Sequence, residues 1–231
     1  MIELFPEGFE EVDTAGGLEL AAYTNAGGEE RVWQVFGPGR AEDIEPGWTD
    51  AWKRFHRPVR IGPLWIGPPW EESPADALRV VVDPGQAFGT GAHPTTQLCL
   101  SFLLGEARGS VLDLGCGSGV LAIAAAKLGF GPVIAVDLDP AAVRAAKENA
   151  AANGVDVDVR LLDAFSERLP EAALALANIA LRQAEELAPR VPARRLVSSG
   201  YLVAEEPDLG GWARLERRSL EGWAADLYER L

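Results

Sequence analysis

Cysteine and histidine are scarce in this chain of 231 residues, with two of each. With Cys99 and Cys116 alone, the disulfide framework of a small secreted domain is excluded, and both thiols are expected to be reduced and buried. Nothing resembles a metal-ligand cluster, so no metal is expected. No apolar run reaches the ~18 residues of a membrane span. The start, Met1-Ile2-Glu3-Leu4-Phe5, has neither the basic region nor the apolar stretch of a secretory leader. A cytoplasmic protein with no membrane partner is the expectation. Positive charge is also short: 21 Lys and Arg face 35 Asp and Glu, a formal net charge of −14. Such a surface repels nucleic acid and attracts a basic protein. Lys53, Arg54, Arg57 and Arg60 form the one basic cluster near the N-terminal zone. Composition leaves the oligomeric state open.

Apolar residues make up 48% of the chain, enough for a sizeable core. Three zones follow one another. Residues 1–47 mix short apolar stretches with Gly and Pro; Leu18 to Tyr23 and Arg31 to Phe36 read as strands around an Asn25-Ala26-Gly27-Gly28 turn. Residues 48–77 are rich in Trp (48, 52, 65, 70) and Pro (58, 63, 68, 69, 74), and read as an extended, semi-rigid linker whose tryptophans pack on the next domain. Residues 78–231 become regular. Strands are expected at 78–82, 110–114, 132–136, 157–161, 174–178 and 196–199, with helices after Pro94, over about 118–128 and over 140–153. Alternating strands and helices predict an α/β fold with a parallel sheet covered on both faces.

The strongest chemical signal is Asp113-Leu114-Gly115-Cys116-Gly117-Ser118-Gly119, which joins a buried strand to a helix. Glycines let a backbone turn tightly and approach a ligand. Asp137 stands 22 residues after Gly115, at the end of the next strand. A carboxylate there can accept both hydroxyls of a ribose lying over the loop. A dinucleotide fingerprint places its third glycine where Val120 stands, and a pyrophosphate disfavours the acid at Asp113. S-adenosylmethionine has an α-ammonium and no phosphate, so Asp113, Gly115, Gly117, Gly119 and Asp137 read as its binding set. Asp163 ends the third strand, where it either accepts from the adenine amine or caps a helix. Asn178 ends the fourth, beside the switch point of the sheet, where it either accepts from the amine to be methylated or satisfies a strand end.

Ahead of these lies Asp83-Pro84-Gly85-Gln86-Ala87-Phe88-Gly89-Thr90-Gly91-Ala92-His93-Pro94-Thr95-Thr96. Glycines around Phe88 and Thr90 suggest backbone folded close to a ligand. The Phe88 ring suits a sulfonium by cation–π attraction. Thr95 or Thr96 suits the methionine end of the cofactor. His93 reads as a helix-entry residue, with a catalytic base as the alternative.

At DPGQAFGTGAHPTT (83–96), LDLGCGSGVLAIAAAKLG (112–129), AVDLDPAAV (135–143), ENAAANGV (148–155), ALANI (175–179) and SSGYL (198–202) the sequence resembles the ribosomal protein L11 methyltransferase family. The run 52–70 resembles that family's linker. The resemblance implies a seven-stranded, Rossmann-like class I methyltransferase fold with a mostly parallel sheet. It further implies methylation of amino groups, lysine side chains and an N-terminal amine, on one basic ribosomal protein. Cofactor contacts are implied for Thr96, Gly115, Asp137 and Asn178, with Phe88, Thr90 and Asp163 nearby; Asn178, Phe88 and Thr90 are the expected catalytic residues. Fewer than fifty residues precede the linker, about half of the domain that the family uses to recognise its protein substrate. Three functional readings therefore stand side by side: a ribosomal-protein methyltransferase, an enzyme of the same fold acting on another protein or a small amine, and a non-catalytic cofactor-binding module; against a fourth, nucleic-acid methylation, stands the acidic charge.

Overall fold

A computed structural model describes the backbone of residues 10–14 and 17–21, and residues 57–83 and 91–231 in full. The chain divides into two compact units, Met1–Ala51 and Trp52–Leu231. In the first, β1 (Glu10–Thr14) and β2 (Gly17–Ala21) form an antiparallel hairpin. The strand expected over 18–23 thus lies close to β2, and β1 is an element that the sequence reading did not anticipate. The turn at 25–28 and the strand expected at 31–36 lie outside the described residues.

The second unit opens with a three-stranded sheet. β3 (Val59–Ile61) turns at Gly62 into antiparallel β4 (Leu64–Gly67), which pairs in parallel with β5 (Leu78–Val81). The Trp- and Pro-rich stretch therefore folds into strands where only an extended segment was expected. Pro58 and Pro68 flank the hairpin and Pro63 sits in its turn, where a missing N–H costs no ladder bond. Leu64, Trp65 and Ile66 are buried.

Seven strands then form the main sheet: β6 (Val111–Leu114), β7 (Val133–Asp137), β8 (Asp158–Leu161), β9 (Ala172–Asn178), β10 (Ala193–Leu202), β11 (Trp212–Leu220) and β12 (Trp223–Arg230). Their spatial order is β11-β12-β10-β9-β6-β7-β8, and β12 alone runs against the rest. The hairpin from β11 to β12 turns through Glu221 and Gly222, both at positive φ (50° and 83°), the backbone that a two-residue turn of primed type needs. The helices are α1 (Pro94–Gly105), α2 (Val120–Lys127), α3 (Pro140–Asn153) and α4 (Leu181–Leu187).

Local chemistry sets the helix ends. Asp139 caps α3 by accepting from Ala141 N at 2.8 Å, Pro140 supplies its first turn, and Gly154 stops it at φ 62°. On β6, Val111 faces one apolar cluster, shared with β3–β5, α1, α2 and α3, while Leu112 and Leu114 face a second, shared with α4. Because the chain runs β6-β7-β8 outward and then returns to place β9 beside β6, the sheet has its switch point between those two strands.

Candidate active site

The loop 115–119 leaves the carboxyl end of β6 at the switch point. Gly115, Gly117 and Gly119 all take positive φ (66°, 52° and 80°), which a side chain would strain. Space adds a second constraint at two of them. A Cβ on Gly115 would stand 2.8 Å from the Ile179 side chain, and one on Gly119 would stand 3.0 Å from Ala146 of α3. The first glycine thus admits close approach at the strand ends, and the third admits close packing of two helices. Gly119 in left-handed backbone is also why α2 begins at Val120 rather than at Ser118.

Asp137 at the end of β7 is tied to this loop. Its Oδ2 accepts from Gly117 N at 2.9 Å and its Oδ1 accepts from Asp139 N at 2.9 Å. An ionised carboxylate offers about four lone-pair sites. Each oxygen of Asp137 therefore keeps capacity for one further donor, in a fixed orientation.

Asp113 takes another place. It is 1% exposed, and its Oδ2 accepts from Ala122 N in the first turn of α2 at 3.1 Å. Burial pushes its pKa up to about 7, with the Ala122 N–H pulling it down and the Asp137 charge adding to the rise. The side chain is turned into the protein rather than onto the loop surface. A cation at the loop would feel its charge from behind the backbone.

On the other side of the switch point, Asn178 Nδ2 donates to Thr96 Oγ1 at 3.2 Å. Two residues 82 positions apart in the chain thus meet, one ending β9 and one in the first turn of α1. Thr96 is 1% exposed, and Asn178 is half-buried. The backbone beneath Asn178 is crowded. A Cβ on Gly200 of β10 would stand 2.1 Å from the Ile179 carbonyl oxygen, and Gly200 sits at φ 111°, where the ladder to β12 is bulged between Ser199 and Tyr201.

His93 caps α1. Its Nδ1 lies 2.8 Å from Thr95 Oγ1 and accepts weakly from Thr95 N, and its ring packs edge-on against Trp223 with centroids 4.9 Å apart. This is the helix-entry role. Asp163 caps a turn: Oδ1 accepts from Phe165 N at 2.9 Å and Oδ2 from the Ser166 hydroxyl at 2.7 Å. The Ser166 bond, then the Phe165 bond, hold its carboxyl below the usual range. Phe88 and Thr90 lie outside the described residues. Gly91, just beyond them, rests on β4, since a Cβ there would stand 2.4 Å from the Ile66 side chain. Both cysteines are free and buried, and burial raises their thiol pKa values, so neither is poised as a nucleophile. Among the described residues, no group of His, Cys, Asp and Glu could hold a metal ion, and no helix is long and apolar enough to cross a membrane.

Sequence reasoning missed three contributors: Gly200, Ser166 and a pair of buried asparagines on α3. Asn149 and Asn153 are spaced i, i+4 on the face that also buries Ala142, Ala146 and Ala150, and amides on such a face were the available signal.

Comparison with known proteins bears on the whole arrangement. The family profile described as Ribosomal protein L11 methyltransferase (PrmA) matches residues 27–205. A ribosomal protein L11 methyltransferase of Aeromonas salmonicida is 40% identical over 209 residues, covering 82% of this chain and 72% of its own. One of Neisseria meningitidis serogroup A is 46% identical over 189 residues, covering 77% and 64%. The crystal structure of a ribosomal protein L11 methylase from Lactobacillus delbrueckii subsp. bulgaricus superposes with a TM-score of 0.69 at 28% identity, covering 76% of this chain and 99% of that one.

Proposed function

The chain belongs to the ribosomal protein L11 methyltransferase family, and we propose that it transfers the methyl group of S-adenosylmethionine to amino groups of ribosomal protein L11, lysine side chains and the N-terminal amine. The observation that carries this reading is the Asp137 carboxylate, oriented by one backbone N–H on each oxygen and standing over a glycine loop. Two hydroxyls on adjacent carbons match the two acceptor sites that remain. Gly115, without a Cβ at the crowded strand ends, leaves the ligand room that a side chain would fill.

The donor set fits the cofactor along its length. Asp137 takes the ribose, and Asp163, already fixed by Phe165 N and Ser166, offers its remaining acceptor capacity to the adenine amine. Gly117 and Gly119 shape the loop. Thr96 donates its hydroxyl hydrogen to the methionine carboxylate, and Asp113 favours the α-ammonium through its charge. When bound, S-adenosylmethionine supplies an electrophilic methyl group on a sulfonium.

The remaining task is to bring in a neutral amine and aim it. Asn178 spends an Nδ2 hydrogen on Thr96, and its Oδ1 accepts no hydrogen bond among the described residues. That oxygen accepts an N–H of the incoming amine and turns its lone pair toward the methyl group. Phe88 and Thr90 are assigned to this step on their sequence context alone, the ring as a cation–π partner for the sulfonium. Excluding water disfavours the charged ammonium, so a lysine arrives as the free base. Most of the acceleration is positioning. The −14 net charge suits a basic protein as partner.

Transfer of labelled methyl from S-adenosylmethionine to purified L11, run beside a panel of small amines, tests the reading. Label is expected in L11, with Asn178→Ala lowering kcat about a hundredfold and shifting the cofactor Kd less. Calorimetry with Asp137→Ala is expected to show cofactor binding lost. A wild type that binds the cofactor but labels only small amines would overturn the substrate assignment. A wild type that does not bind the cofactor would overturn the donor.

A further inference from the structure

The ladder between β10 and β12 carries an extra residue, Gly200, between the pairs Ser199–Ala225 and Tyr201–Ala224. A bulge of this kind leaves one residue unpaired and bends its strand. Two buried side chains hold it. Ser199 Oγ donates across to Ala224 O on the partner strand at 2.8 Å. Tyr201, 1% exposed, reaches back past Gly200, and its hydroxyl shares one hydrogen between Ser198 O and Asp226 Oδ2, each 2.9 Å away. Ser198 and Asp226 are the register pair that precedes Ser199–Ala225. The tyrosine therefore staples the residue after the bulge to the strand pair before it.

The bulge bears on the end of β9. Ser199 pairs with Asn178, and Ser199 O accepts from Ile179 N at 3.0 Å. Gly200 approaches the Ile179 carbonyl so closely that a Cβ would meet it at 2.1 Å. Asn178 is thus fixed twice, through its Nδ2 on Thr96 and through its backbone on the bulged strand. The Tyr201 hydroxyl bonds within β10 and β12, so its influence on Asn178 passes through the bulge.

Resting on the methyl-transfer reading above, in which Asn178 aims the amine, we propose that Tyr201 is a positioning residue for the acceptor. Its hydroxyl holds the Gly200 bulge in one conformation. The bulge holds the Asn178–Ile179 backbone, and Asn178 Oδ1 stays where the amine arrives.

The test separates this role from plain stability in the full chain, well below each melting point. Tyr201→Phe keeps the buried ring and removes the hydroxyl alone. Trp212→Phe is the control: it removes a buried donor, Nε1 to Ala188 O at 3.0 Å, at the other end of the β11–β12 ladder, where Trp212 pairs with Arg230. Tyr201→Phe is expected to lower kcat for methyl transfer to L11 about tenfold, with the S-adenosylmethionine Kd within about twofold. Trp212→Phe is expected to lower the melting temperature at least as much and to keep kcat within about twofold. Added to Asn178→Ala, Tyr201→Phe is expected to change kcat less than about twofold, because the group it acts through is gone. An unchanged kcat, a loss matched by Trp212→Phe, or losses that multiply in the double variant would overturn the assignment. Amide hydrogen exchange reads the bulge without turnover: Ile179 N is expected to exchange about tenfold faster in Tyr201→Phe than in the wild type, and at the wild-type rate in Trp212→Phe. Equal rates at Ile179 N in all three proteins would also overturn it. A wild type that transfers no methyl group to L11, with Ile179 N still loosened in Tyr201→Phe, would instead strike at the functional reading on which this inference rests.

Discussion

Asp113 on β6 and Asp226 on β12 lie in one sheet, and neither is more than 1% exposed, yet their surroundings differ in kind. Asp226 sits among side chains. Its Oδ2 accepts from the Tyr201 hydroxyl at 2.9 Å, and the Nε atoms of Arg217 and Arg214 stand 3.6 and 3.8 Å from its Oδ1. Burial still raises its pKa, although Tyr201 and the two arginines pull the other way. Asp113 has a backbone N–H from α2 and no cation among the shifts that act on it, and its pKa rises to about 7. On the strand pair β10–β12, the protein brings its own cations to the buried charge. Beside the glycine loop, the buried carboxyl of Asp113 has no cationic side chain as a partner among the described residues.

The contrast can be broken or sharpened by substitution. Asp226→Ala has the largest expected effect: it empties a fully buried site and takes the carboxylate from the Tyr201 hydroxyl, while Arg214 and Arg217 keep Glu206 as a partner, and it should cost about 3–4 kcal/mol of stability in urea unfolding. The cofactor Kd should stay within twofold, and a parallel loss of binding would merge the two regions. Asp113→Asn comes next. A folded-state pKa above the unfolded one means that the folded chain holds the proton more tightly. The Asp113 contribution is thus favourable at about pH 4, declines as pH rises, and levels off once the folded group has ionised above about 7. Relative to Asp113→Asn, the wild type should lose on the order of 2–4 kcal/mol between pH 4 and pH 8, read from urea melts at several pH values. A flat difference would remove the uncompensated charge from the comparison. Ser198→Ala has the smallest expected effect. The Ser198 hydroxyl is fully buried on β10, directly opposite Asp226, and has no hydrogen-bond partner among the described residues. Its removal should be neutral or stabilising by up to about 1 kcal/mol in the same melts, whereas a loss beyond that would make the hydroxyl a working part of the Asp226 network.

The parts of the molecule that were legible in sequence are those whose signals are local. α3 was readable to the residue because Asp139, Pro140 and Gly154 each act within one turn of an end. The glycine loop and Asp137 were readable because a strand, a turn and the following strand repeat a short chemical pattern. β3 and β4 were hidden by prolines that flank and turn the hairpin without interrupting its ladder. β11 reads Trp-Ala-Arg-Leu-Glu-Arg-Arg-Ser-Leu and lies at the sheet edge, where charge replaces alternation. Its place came from the family resemblance alone. Asn149 and Gly200 were illegible for a further reason. Their partners, Asp83, Ser118 and Ile179, are distant in the chain or belong to another strand, and no spacing rule encodes such contacts.

The close approach at Gly200, where an added Cβ would stand 2.1 Å from the Ile179 carbonyl oxygen, also limits how this lineage can drift. Hydrogen is the one substituent that fits between β10 and the Ile179 carbonyl, so every other codon at position 200 displaces the strand end that carries Asn178. Relatives that keep this close approach of β10 to the end of β9 are expected to carry glycine there, which sequencing across the family would check. A chain bearing another residue at that point would have had to rebuild its acceptor side first, and its substrate would be the place to look for the change.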